Sequence, residues 1–158
     1  MESNTIPLRH TVATLGYRAA RAIRNAPETF SDFAAVPGDR TAGTILAHLG
    51  DLMDWGLAMA EGRPAWNNSK PQVWAQESAR FFAALAAFDE RLASNEPVAC
   101  PLEKLFQGPI ADALNHVGQI AMLRRMAGSR IGGENYYLAE ITIGRVGLDQ
   151  AKPIREFE

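Results

Sequence analysis

Residues 108–128 read GPIADALNHVGQIAMLRRMAG and predict one helix with two defined ends. Pro109 suits the first turn of a helix, where its missing N–H needs no partner, and Gly128 suits the left-handed position just past the end. Arg124 and Arg125 fall in the last turn, where the helix dipole favours cations. The apolar residues of this stretch recur at helical spacing and form one broad face, which we expect to be buried: Ala113, Leu114, Val117, Ile120, Ala121 and Leu123.

Asp112 and His116 are four residues apart and therefore lie on the same face of this helix, at the border of the apolar arc. Burying a carboxylate or an imidazole without a partner is costly, so each needs one. Two interpretations are open. The two side chains form an i,i+4 pair that supports the helix, or they are two ligands of a metal ion that takes a third ligand from elsewhere.

Composition and charge limit the classes of protein to which the chain can belong. The 158 residues are 47% apolar and 22% charged, which is typical of a globular protein, and we expect one domain over residues 1–158. The formal net charge of −2 predicts no nucleic-acid partner. No apolar run approaches the roughly 20 residues of a membrane span. A lone cysteine, Cys100, and an N-terminus without a signal-peptide pattern predict a cytoplasmic location.

Apolar spacing predicts three further helices, at about residues 7–25, 41–62 and 70–94, which with residues 109–127 give an all-α four-helix bundle. Thr41 is a good N-cap for the second helix, and Ser69 to Gln72 match a capping box for the third. The third helix carries an aromatic-rich stripe that we expect to pack in the core: Trp74, Phe81, Leu85, Phe88 and Leu92. We expect the arginines of the first helix to be solvated. Residues 134–142 predict a short C-terminal helix with Tyr137 and Ile141 turned inward, followed by an extended tail.

His48 lies in the predicted second helix, at the edge of its apolar arc. Alone it is best explained as a core histidine hydrogen-bonded to a neighbour, but with Asp112 and His116 it supplies a third metal ligand. Two imidazoles and one carboxylate leave coordination positions open for water or substrate. Four further residues are candidates for contact with a substrate or with the ligands: Gln119, Asp51, Trp55 and Tyr137.

Other catalytic chemistries have less support in the sequence. The chain has no G-x-S-x-G, P-loop or G-x-G-x-x-G motif. Cys100 precedes a proline in a predicted loop, and nothing nearby in sequence would lower the pKa of its thiol.

The helix order, the segment LAHLGD at residues 46–51 and the segment DALNHVGQI at residues 112–120 resemble the DinB/YfiT-like family of bacterial four-helix-bundle metalloproteins. The similarity covers about residues 5–145. It implies zinc or nickel, bound by one histidine of the second helix and two histidines four apart in the fourth. Iron and manganese are further candidates for the metal. His48 matches the first of these and His116 the last. Asp112 stands where the family commonly has histidine.

The resemblance also implies an activity, since characterised members include S-transferases and isomerases that use a low-molecular-weight thiol, bound to the metal as thiolate. The prediction is a divalent-metal-dependent enzyme, of thiol S-transferase or hydrolase type, that acts on a small molecule and forms a homodimer. Arg124 and Arg125 could attract an anionic substrate. The alternative is a non-catalytic dimeric bundle that binds a small ligand or a partner protein, with the His/Asp cluster structural. Metal dependence separates the two.

Overall fold

The computed structural model describes residues 4–157. Four long helices are packed together in it, which confirms the predicted all-α bundle. The helices are α1 (Ile6–Ile23), α2 (Ala42–Ala60), α3 (Trp74–Ala93), the short α4 (Leu102–Leu105) and α5 (Ala111–Met126). Because α1 and α2 each pack on both α3 and α5, the four long helices close around one core. Among residues 4–157, no helix has the length and apolarity needed to cross a bilayer.

The buried apolar side chains form one cluster to which each of the long helices contributes. On α3 the predicted stripe is confirmed, since each of its members is at most 5% exposed: Trp74, Phe81, Leu85, Phe88 and Leu92. The connection between α1 and α2 is held to this core by Phe30, whose ring lies edge-on to Trp74 at 5.1 Å between centroids. Burial of such side chains stabilises the fold by about 1.5–3 kcal/mol each.

Two of the predicted helix starts differ from those observed. The Thr41 side chain accepts a hydrogen bond from the N–H of Thr44, as predicted for the N-cap of α2. The predicted capping box of α3 is wrong, because Ser69 donates its hydroxyl and its N–H to Asp51 at 2.6 and 2.9 Å, and α3 begins only at Trp74. The prediction that Pro109 lies in the first turn of a helix is also wrong, because it lies inside a π-helical turn, Phe106–Ile110, that joins α4 to α5. A wider turn of this kind tolerates a residue that has no N–H to donate.

The short C-terminal helix predicted over residues 134–142 is confirmed only as a single 3₁₀ turn, and Tyr137 does not point inward as predicted, since it is 94% exposed. Strand β1 (Gly133–Glu134) pairs antiparallel with β2 (Glu156–Phe157), and one 3₁₀ turn covers Tyr136–Leu138. Glu134 is buried, accepts a hydrogen bond from the hydroxyl of Tyr17 and pairs with Arg21 at 3.1 Å. Arg21 is therefore not solvated as predicted. These contacts with α1 hold the chain in place after Gly133, and the tail folds back onto the bundle.

Arg80 of α3 lies across α2 and neutralises buried carboxylates. Its guanidinium is 2.5 Å from Asp51 and 3.4 Å from Glu77, and it donates to the Ala47 carbonyl at 3.0 Å. Asp51 is 3% exposed. A Cβ on Gly50 would lie 2.5 Å from Arg80 Nη1. The glycine therefore leaves the space in which the guanidinium lies.

We expect Arg80→Met to lower the free energy of unfolding by about 3 kcal/mol, because it leaves the buried carboxylates of Asp51 and Glu77 without their cation. Urea unfolding followed by circular dichroism measures the change. Arg63→Met is the matched control, since Arg63 is 73% exposed, pairs with Glu61 and should change stability by about 1 kcal/mol or less. Equal losses in the two variants would contradict this account of the α2–α3 contact.

Candidate metal centre

The packing of α2 on α5 brings His48 beside Asp112 and His116. Each residue offers one ligand atom, and these atoms lie within 4.8 Å of one another. In the part of the chain that the structure describes, this is the group of histidine, cysteine and acidic residues with the spacing of a metal site. The two segments singled out in the sequence thus meet in space.

The donor atoms of this cluster are separated by distances close to those between the ligand atoms of a bound cation. His48 Nε2 is 3.5 Å from one oxygen of Asp112, and the ligand atoms that the three residues offer all lie within 4.8 Å of one another. Four ligands around a zinc ion at 2.0–2.1 Å lie about 3.3 Å apart in tetrahedral geometry. The Asp112 side chain is 45% exposed, so its carboxylate can turn by the small amount required. The residues therefore fit a divalent cation, both in spacing and in donor chemistry.

A backbone hydrogen bond sets the tautomer of His116. Its Nδ1 is 2.8 Å from the carbonyl oxygen of Asp112, and a carbonyl can only accept, so Nδ1 carries the hydrogen. The neutral ring then has its lone pair on Nε2, which is the atom available to a metal. A second hydrogen bond of this type is how proteins orient histidine ligands. The nearest cation to Nε2 is the guanidinium of Arg40, whose Nη1 is 3.5 Å away.

Burial lowers the pKa of His48 below its usual value, and the neighbouring His116 and Arg40 lower it further, while Asp112 acts in the opposite direction. The imidazole is thus held neutral at neutral pH, and a neutral imidazole is the form that binds metal. Trp66 lies edge-on to His48 at 5.5 Å between ring centroids, and Trp55 lies edge-on to Trp66 at 5.8 Å. The two indoles form an aromatic wall on the His48 side of the cluster.

The other predicted site residues have different surroundings. Trp55 belongs to the aromatic wall. Gln119 is exposed on α5, one turn after His116, and lines a groove that Arg40 also lines. Asp51 is taken up by Ser69 and Arg80, and Tyr137 is 94% exposed. The Asp51 carboxylate is therefore occupied by contacts within the fold, and the Tyr137 side chain lies almost entirely in solvent.

The arginines at the end of α5 are not equivalent. Arg124 is 4% exposed and donates to the carbonyls of Ala22 and Arg24 and to Ser129. Burial lowers the pKa of its guanidinium. Arg124 is therefore not available to attract an anionic substrate as predicted, since it ties α5 to the end of α1. Arg125 is exposed.

Sequence reasoning missed two residues beside the cluster, Trp66 and Arg40. Both lie in connections between helices, where no apolar period marks a side chain as inward-facing. The signal that could have found Arg40 is its place directly before Thr41, the N-cap of the helix that carries His48.

Comparison with protein-family models, with curated proteins and with solved structures finds no match for this chain. The similarity to the DinB/YfiT-like family thus stays a prediction from the sequence. The four packed helices and the His-Asp-His cluster are observed in the structure and do not depend on that similarity.

Cys100 is the candidate for the alternative chemistry, in which a cysteine thiolate acts as nucleophile. It is half-buried against the core, and burial raises the pKa of its thiol, with a further rise from Glu103. We expect alkylation by iodoacetamide at pH 7 to be at least about threefold slower in the folded protein than in urea, because the thiolate is the reactive form. Mass spectrometry gives the rates.

The pH profile of this reaction separates a raised pKa from simple shielding. A raised pKa displaces the profile of the folded protein to higher pH, whereas shielding lowers the rate equally at every pH. A folded thiol that reacts faster than the unfolded one at pH 7 would show an activated nucleophile and contradict this assignment.

Proposed function

We propose that this protein is a divalent-metal-dependent enzyme that acts on a small molecule, with the ion held by His48, Asp112 and His116 where α2 meets α5. The observation that carries the proposal is the spacing of the three donors, which lie within 4.8 Å of one another on two packed helices. Zinc or nickel suits two imidazoles and one carboxylate, and iron or manganese would also be accepted. Resemblance to the DinB/YfiT-like family supports the same assignment.

A bound divalent cation with an open position lowers the pKa of a water or thiol near it and polarises a carbonyl group. The protein would hold the ion and orient the side chains that bind it. The Nδ1–H of His116 fixes its ring against the Asp112 carbonyl, and the lowered pKa of His48 keeps that ring unprotonated. Asp112 supplies the negative charge that two imidazoles lack. The indole of Trp66 lies edge-on to the imidazole of His48, at 5.5 Å between ring centroids.

The donor set supports S-transfer and hydrolysis equally, because both reactions begin from an activated S–H or O–H group. The family resemblance favours a low-molecular-weight thiol as co-substrate. Gln119 is placed one turn beyond His116, where its amide could orient a polar group of the substrate. We include a homodimer in the proposal on the same resemblance.

One observation favours the non-catalytic alternative. The carboxylate of Asp112 lies between the two imidazoles, and the guanidinium of Arg40 lies on His116, so the four side chains already form a connected polar cluster. Such a cluster could serve only to satisfy partly buried polar groups. In that case the cluster takes up no metal, and loss of His116 affects stability alone.

We expect the chelator-treated, untagged protein to take up about one equivalent of zinc or nickel. His48→Ala and His116→Ala should each weaken the binding by about 100-fold or more, because each removes one of three ligands. Asp112→Asn should also weaken it, since it removes the negative charge. Isothermal titration and elemental analysis after dialysis measure affinity and stoichiometry.

His10→Ala is the matched control, because His10 is exposed on α1 and should leave metal binding unchanged. Circular dichroism establishes that the variants are folded, and His48→Gln replaces His48→Ala if the latter is not. Failure of the parent protein to take up zinc, nickel, iron or manganese would refute the proposal. Equal uptake by a His48→Ala/His116→Ala double variant would refute it as well.

A further inference from the structure

Arg40 is an exposed arginine whose guanidinium faces an imidazole. Among residues 4–157 it pairs with no carboxylate, and its side-chain contact is with His116 Nε2 at 3.5 Å. The neighbouring Asp39 accepts the backbone N–H of Arg40 at 2.7 Å, so that carboxylate is directed at the backbone. A guanidinium has five donors in a planar fork that matches a carboxylate, sulfonate or phosphate group. Most of this capacity is free at Arg40.

The same guanidinium lines a groove of about 330 Å³ between the α1–α2 connection and α5. Apolar side chains of Ile45, Met122 and Met126 form much of the lining, with Gln119 and Asp39 as further polar members. Met122 and Met126 are 52% and 51% exposed. Exposed methionines are flexible and polarizable, so they adapt to apolar chains of varied shape. The groove therefore combines an apolar lining with the guanidinium of Arg40, which within residues 4–157 has no carboxylate partner.

Arg40 connects this groove to the metal centre, because it lies against the nitrogen that His116 offers to a cation. A divalent ion at Nε2 would be repelled by the guanidinium at this distance. An anionic group bound by Arg40 would reduce that repulsion. Anion and metal should therefore strengthen each other's binding, and by linkage the effect is the same in both directions.

We propose that Arg40 binds the anionic head of a small amphipathic molecule whose apolar chain lies in the groove, and that this binding is positively coupled to the metal. The inference rests on the proposed function and names the substrate class for the same site. It moves anion recognition from the predicted Arg124 and Arg125 to Arg40. Arg124 is buried and donates to the carbonyls of Ala22 and Arg24, whereas Arg40 is exposed and contacts His116, a candidate metal ligand.

The test uses hexane-1-sulfonate, because a sulfonate pairs with guanidinium but is a poor metal ligand. The Kd for zinc is measured by competition with a chelator, with and without the sulfonate. In the parent protein we expect zinc to bind about tenfold more tightly when the sulfonate is present. In Arg40→Gln, zinc should bind more tightly than in the parent without sulfonate, and the sulfonate should have no further effect.

Three controls test separately the contributions of the sulfonate charge, of the hexyl chain and of Arg40. Hexan-1-ol lacks the charge and methanesulfonate lacks the chain, so neither should reproduce the effect at the same concentration. Arg125→Gln removes an exposed arginine of α5 and should behave as the parent protein. An effect that persists in Arg40→Gln, or one that is lost in Arg125→Gln, would overturn the inference.

The failure of this inference and that of the proposed function are distinguishable. Zinc binding that depends on His48 but does not respond to the sulfonate overturns the role of Arg40 and leaves the metal site standing. If the parent protein binds no metal, the proposed function fails. Calorimetric titration of hexane-1-sulfonate into the metal-free protein then still tests Arg40: binding lost in Arg40→Gln supports its role in anion recognition, and unchanged binding overturns it.

Discussion

The packing of α2 against both α3 and α5 is the contact on which the core and the candidate metal centre both depend. Close approach on the α3 side is possible because α2 carries glycine where its neighbours are nearest. A Cβ on Gly56 would lie 3.1 Å from the ring of Phe88, and one on Gly50 would meet Arg80. The opposite side of α2 faces α5, and there His48 reaches the acidic and imidazole groups of that helix. A shift of α2 that disturbed the core would thus also separate the ligands.

Buried charges hold the parts of the chain that helical packing alone does not fix. Arg80 binds α3 to α2, and Arg124 binds the end of α5 to carbonyls at the end of α1. Glu134 binds the C-terminal region to Tyr17 and Arg21 of α1. Each of these groups has partners within the protein. Arg40 differs, because it is exposed and its side chain contacts His116, a candidate metal ligand.

The sequence predicts the features that depend on periodicity and on local capping, namely the four long helices, the aromatic stripe of α3 and the N-cap at Thr41. The meeting of His48 with Asp112 and His116 could be predicted because all three stand at the edges of apolar faces that had to be buried. The resemblance to a known family assigned the three residues to one site. These predictions succeed where short-range sequence pattern and tertiary packing favour the same structure.

The features that the sequence did not predict depend on contacts between residues far apart in the chain. Ser69 has the local pattern of a helix cap, but Asp51, which is 18 residues earlier, takes both of its donors. Glu134 stands at the start of a segment that looks helical, yet its partner Tyr17 is 117 residues away. Trp66 and Arg40 reach the metal cluster from connections between helices. Local propensity carries no information about such partners, so these features appear only in the folded structure.

The central claim is that one divalent cation binds to imidazoles from both α2 and α5. Zinc K-edge X-ray absorption on protein loaded with one equivalent of zinc tests it most directly. The account predicts the scattering of two imidazoles, with the remaining ligands oxygen, at about 2.0–2.1 Å. Loss of one imidazole from the spectrum of His48→Ala and of one from that of His116→Ala would complete the assignment. A shell of oxygen alone, or a spectrum that neither substitution changes, would contradict it.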